Sequence, residues 1–110
     1  MAKVHIDISV NADETSFGMV SGPLELPVVP LVGDAISFRL AEKIEAYVGE
    51  RRVPFTGQLH VTKRIILVPM ADADILISLE DINAATPTDA ARLLKWFEQE
   101  HGLLGDAWEG

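Results

Sequence analysis

The chain contains no cysteine, which removes disulfide staples, thiolate metal sites and a cysteine nucleophile together. Aromatic residues make up only 6% of its 110 residues, and tyrosine occurs once, so aliphatic side chains have to build most of the core. No apolar run approaches the roughly 18 residues of a membrane-spanning helix. The opening MAKVHIDISV lacks the charged start and long apolar stretch of a secretory leader. Cationic side chains are also scarce: 9 Lys and Arg stand against 17 Asp and Glu, for a net charge of −8. Phosphate contacts come from Lys and Arg, so general binding to nucleic acid or to an anionic membrane is disfavoured. These absences point to a cytoplasmic protein. Its length fits one domain over residues 1–110, which by size buries roughly two thirds of the surface its unfolded chain exposes.

What the chain has in quantity is apolar surface. Hydrophobic residues make up 48% of it, the upper end of the ordinary range for a soluble domain. Some of that surface is expected to be covered by a protein partner or by a second copy. The few cations are concentrated, with Arg39, Lys43, Arg51, Arg52, Lys63 and Arg64 set against only Glu42, Glu45 and Glu50 between residues 39 and 64.

Strand periodicity opens the chain. In KVHIDISV, Val4, Ile6, Ile8 and Val10 share one face while Lys3, His5, Asp7 and Ser9 share the other, the pattern of a half-buried strand. NADETS supplies turn residues, and a second short strand is expected over Phe17 to Val20. PLELPVVPLVGDAISF follows, and its PVVP has the spacing of a polyproline ligand. Its flanks are apolar or acidic, without the basic residue such ligands carry. Three prolines instead predict an edge strand and a stiff corner crossing the fold, with Leu24, Leu26 and Val28 turned inward and Gly33 and Asp34 forming a turn.

Residues 35–48 fit two patterns. One is a strand over about 35–40 followed by a short helix, AEKIEAYV; the other is a single long helix at about 35–48. GERRVPFTG reads as a loop. QLHVTKRIILV and DILISLEDI are two β-branched runs joined by PMADA, and so predict a hairpin. In TPTDAARLLKWFEQEHG, Thr86 is a natural N-cap, Pro87 suits the first helical position and Gly102 a stop, which predicts a helix over about 87–101. Residues 103–110 are expected to fray unless Leu104 and Trp108 dock.

The predicted fold class is therefore α+β: about five antiparallel strands bent into a partly open SH3-like or OB-like barrel, with the C-terminal helix packed on it. The alternative combines the long helix at about 35–48 with a three- or four-stranded sheet.

No convergent catalytic set stands out. His5, Asp7 and Ser9 have the residue types of a hydrolytic triad, but residues two apart on a strand lie roughly 7 Å apart along it, too far for direct hydrogen bonds. Glu80 and Asp81, as neighbours on a strand, would face opposite ways. His5, His60 and His101 show no metal-ligand spacing, Asp72 and Asp74 read as turn formers, and no phosphate-binding glycine loop occurs, so neither a metal nor a cofactor is expected. Arg51 and Arg52 are the candidate anion-binding pair, because adjacent guanidiniums can grip a phosphate or carboxylate. Trp96, at the edge of the helical stripe, and Trp108 in the tail are the candidate interface residues. The expected function is a non-catalytic protein-interaction module, with a small-molecule or anion-binding domain using the loop at 51–52 as the alternative.

Overall fold

The computed structural model describes residues 2–12, 15–40, 43–66, 68 and 75–107. Alternation over the first strand is realised in full. β1 (Ala2–Ala12) turns Val4, Ile6, Ile8 and Val10 inward to complete burial, and each such side chain contributes about 1.5–3 kcal/mol on leaving water. β2 (Thr15–Leu26) folds back on β1 as its antiparallel partner along most of its length. The second strand expected over Phe17 to Val20 is thus 12 residues long. Between the Val10–Gly18 and Asn11–Ser16 pairs the register slips, leaving Phe17 as the extra residue of a bulge packed against the core.

The other edge of β1 is shared. β7 (Ile75–Leu79) runs parallel to it beside His5–Asp7, and β8 (Ile82–Ala84) runs parallel to it beside Val10–Ala12. Glu80 and Asp81 break the chain between them, so the sheet forks. One arm continues from β7 through β6 (Gln58–Ile66) to β3 (Ala35–Ser37). The other continues from β8 through β4 (Glu45–Val48) to β5 (Arg51–Pro54). β9 (Leu104–Ala107) pairs with the outer edge of β2. The result is a curled, mixed half-barrel with one C-terminal helix, α1 (Pro87–His101), in an α+β fold.

Several expectations are corrected. The sheet is mixed rather than antiparallel, because the long crossover a parallel pair needs is supplied by the intervening strands instead of a helix. Nine strands among the described residues replace the expected five or so. Neither the short helix nor the long one forms over the described part of 35–48: residues 35–37 are β3 and 45–48 are β4. The expected loop at 49–57 begins instead as a turn and strand. Gly49 (φ 65°) and Glu50 form a two-residue turn, with Val48 opposite Arg51, and glycine at the first central position is what a type II′ hairpin turn demands. Leu104–Ala107 is a paired strand and not a frayed tail.

Other expectations hold. β6 and β7 pair antiparallel, although the PMADA connection lies outside the described residues. Thr86 caps α1, its hydroxyl oxygen accepting from the Asp89 N–H at 3.1 Å, and Gly102 ends it at φ 66°. Ala90, Leu93, Leu94, Trp96 and Phe97 form the buried face of α1. The edge of the Phe38 ring meets Phe97, with centroids 5.1 Å apart, so the segment after β3 closes over the helix.

Candidate functional site

The hairpin of β4 and β5 decides what Arg51 and Arg52 can do together. Successive strand residues point to opposite faces. Tyr47 stands opposite Arg52, and Val48 opposite Arg51. Arg52 therefore shares a face with Glu45 and Tyr47, while Arg51 shares the other face with Ala46 and Val48. Arg51 and Arg52 thus leave the backbone on opposite faces of the hairpin. Arg52 Nε donates to the Glu45 carboxylate. That hydrogen bond first, and the attraction between the charges second, raise the Arg52 pKa above its ordinary value.

Open clefts lie beside this hairpin. One of about 700 Å³ is lined by Asn11, Tyr47, Glu50 and Asn83, with Asn11 Nδ2 donating to Asn83 Oδ1 at 3.0 Å. A second, of about 430 Å³, lies at the fork, and both Glu80 and Asp81 line it. The expectation that strand geometry separates these two carboxylates is corrected here, because neither belongs to a strand. Glu80 is already engaged: its Oε1 accepts from the His60 backbone N–H at 3.0 Å and lies 3.2 Å from His60 Nδ1.

The remaining candidates are dispersed. His5, Asp7 and Ser9 follow one another along the outer face of β1, where the Ser78 hydroxyl donates to Asp7 at 3.2 Å. Trp96, expected at the margin of the helical stripe, is only 7% exposed. Its ring lies 5.1 Å from Phe97 and 4.9 Å from His101, so little of it is left to meet a partner. Trp108, Asp72 and Asp74 fall outside the described residues. Among the described residues no group of three or more His, Asp or Glu side chains is placed to hold a metal ion, and no helix is long and apolar enough to cross a membrane.

The surface feature missed by the pattern of the chain lies along β6. Leu24 and Leu26 pack partly against the core as expected, but Val28 is 69% exposed. Leu31 and Val32 are exposed as well. They stand at a tight turn in which the Asp34 N–H donates to the Leu31 carbonyl, Asp34 Oδ2 accepts from the Leu31 N–H, and Gly33 adopts φ 96°. Backbone bonds from the Gly33 N–H to the Val61 carbonyl and from the Val61 N–H to the Asp34 carbonyl, both 2.9 Å, fasten this turn to β6. Further along β6, Ile65, Ile66 and then Val68 are exposed too.

Alternation over QLHVTKRII predicts Ile65 inward with Leu59 and Val61. A bulge between Val61 and Lys63 reverses the parity, so that Lys63 stands opposite Ser78 and Ile65 opposite Leu76. Lys63, where the apolar alternation breaks, is the one sign of this reversal in the sequence.

Comparison with protein-family models, curated proteins and solved structures finds no match to this chain.

Proposed function

We propose that this protein is a non-catalytic interaction module that acts in the cytoplasm and binds another protein at the β6 side of the half-barrel. The observation that carries this reading is the distribution of exposed apolar side chains. Val28, Leu31 and Val32 are exposed on the segment whose turn bonds to β6 at Val61, and Ile65, Ile66 and Val68 are exposed at the far end of β6 and just beyond it. Grouped apolar exposure of this kind is characteristic of interaction surfaces, whereas single exposed apolar residues are ordinary.

Site-specific photocrosslinking tests it. A crosslinker replacing Val32 or Ile66 is expected to trap a discrete adduct in an extract of the native host, while one replacing the exposed Glu100 on α1 traps none. Equal labelling from all three positions, or none from any, would sink the proposal.

A second reading, a small-molecule-binding domain, is favoured by the cleft of about 700 Å³ beside the hairpin that carries Arg51 and Arg52. A thermal-shift screen with nucleotides, sugars and phosphate is its check, and a stabilisation that disappears on Tyr47→Ala would support it.

A further inference from the structure

The outer edge of β6 is only half used. β3 pairs with Gln58 to His60, and the Gly33–Asp34 turn extends that pairing by one residue to Val61. From Thr62 to Ile66 the strand is paired with β7 on one side, and among the described residues no strand pairs with the other. All five side chains of this stretch are exposed. A strand edge in this state presents a row of backbone donors and acceptors to which an extended segment can bond.

The side chains of that edge specify what would lie on it. Lys63 and Ile65 fall on the outer face, in line with Ser78 and Leu76. Arg64 and Ile66 fall on the face of Ile77 and Ile75, and Ile66 is 63% exposed there. Neither Lys63 nor Arg64 forms an ion pair among the described residues. Directly opposed cross-strand residues share a face. An added strand therefore meets a cation and then an isoleucine on each of its two faces. Read along its backbone, the complement is two adjacent acidic residues followed by two adjacent apolar residues if it runs parallel to β6, and the reverse order if antiparallel. It cannot extend past Thr62 toward Val61, because the Gly33–Asp34 turn occupies the edge there.

We propose that Thr62–Ile66 is the docking edge for an extended segment of a partner protein carrying two adjacent acidic residues next to two adjacent apolar ones, added as a further strand beside β6. This deepens, and rests on, the interaction-module reading. Charge favours such a partner over a second copy of this chain. Two chains of net charge −8 repel each other, and antiparallel self-pairing centred on Lys63 or Arg64 would place like charges directly opposite.

Fluorescence polarisation with three labelled peptides tests the proposal: one with Val-Ile-Glu-Asp at its centre, one with Val-Ile-Lys-Lys, and the first with alternate backbone nitrogens methylated. Saturable binding of the first alone is expected. The double variant Lys63→Glu, Arg64→Glu should lose it by at least about tenfold while regaining affinity for the Val-Ile-Lys-Lys peptide, and that exchange also shows that the variant is folded. Binding that survives methylation, or that ignores the charge reversal, overturns the proposal. So does a dimer seen by light scattering in the native chain and lost in the double variant. If no peptide binds while the crosslinker at Ile66 still traps a partner, the strand-addition inference falls and the interaction module stands. If both experiments are blank, both readings fall.

Discussion

His101 shows how a side chain that reads one way in the sequence takes another role in the fold. A basic residue at a helix C-terminus normally complements the dipole. Here the imidazole lies among rings, 5.3 Å from Phe38, 4.9 Å from Trp96 and 6.2 Å from Phe97 between centroids. Its Nε2 is buried and has no hydrogen-bond partner among the described residues. A buried polar atom without a partner costs about 1–3 kcal/mol, whereas an apolar ring of similar shape carries no such cost. His101→Phe is therefore expected to raise stability by about 1 kcal/mol in urea denaturation. A drop in the midpoint instead would show that Nε2 is satisfied in solution. Gly57 illustrates the opposite constraint. At φ 89°, with a Cβ there standing 3.0 Å from the Leu40 backbone nitrogen, only glycine lets the chain pass before β6.

The helix is the element most legible in the sequence, because its signals are local. Thr86, Pro87, Asp89 and Gly102 each satisfy or avoid a backbone group within one turn of the chain. Thr86→Ala should cost about 1 kcal/mol by loss of the cap, and Thr86→Ser, which keeps the hydroxyl that also donates to Asp89 Oδ2 at 2.8 Å, should keep most of it. Equal loss in both variants by chemical denaturation would show that the methyl group, and not the hydroxyl, carries the effect. β1 was legible for the same reason, since its alternation is unbroken. The β4–β5 hairpin was not. Glu45, Ala46, Tyr47 and Val48 follow good helix formers and fit helical spacing as well as a strand. What decides between them lies elsewhere in the chain: Ala46 pairs with Ala84, and the Ala85 N–H bonds to the Glu45 carbonyl. Periodicity cannot register pairings made so far along the sequence. The exposed edge of β6 was illegible because one bulged residue inverts the faces of all that follow it.

Across the molecule, charge and apolar surface act in opposite directions. A net charge of −8 on a chain of 110 residues opposes the approach of a second copy and also strains the folded state through self-repulsion. Raising the salt from about 0.02 M to about 0.5 M shortens the Debye length several-fold. The melting temperature is therefore expected to rise over that range, while binding of the acidic peptide weakens. A melting temperature that falls with salt would mean that attractive pairs, such as that of Arg52 with Glu45, outweigh the repulsion.

The shared edge of β1 also has a consequence for how the chain reaches this fold during synthesis. β1 and β2 can pair as soon as both have left the ribosome, yet the parallel partners of β1 are made much later; Asp7 and Ser78, which bond across that edge, are 71 positions apart. Contacts of such long sequence separation form slowly. Until β7 and β8 emerge, the central strand of the future barrel has an open edge and an uncovered apolar face, a state that invites mispairing with other chains. The helix that covers that face is made after both. The strand that organises the finished molecule is thus the one that waits longest to be enclosed.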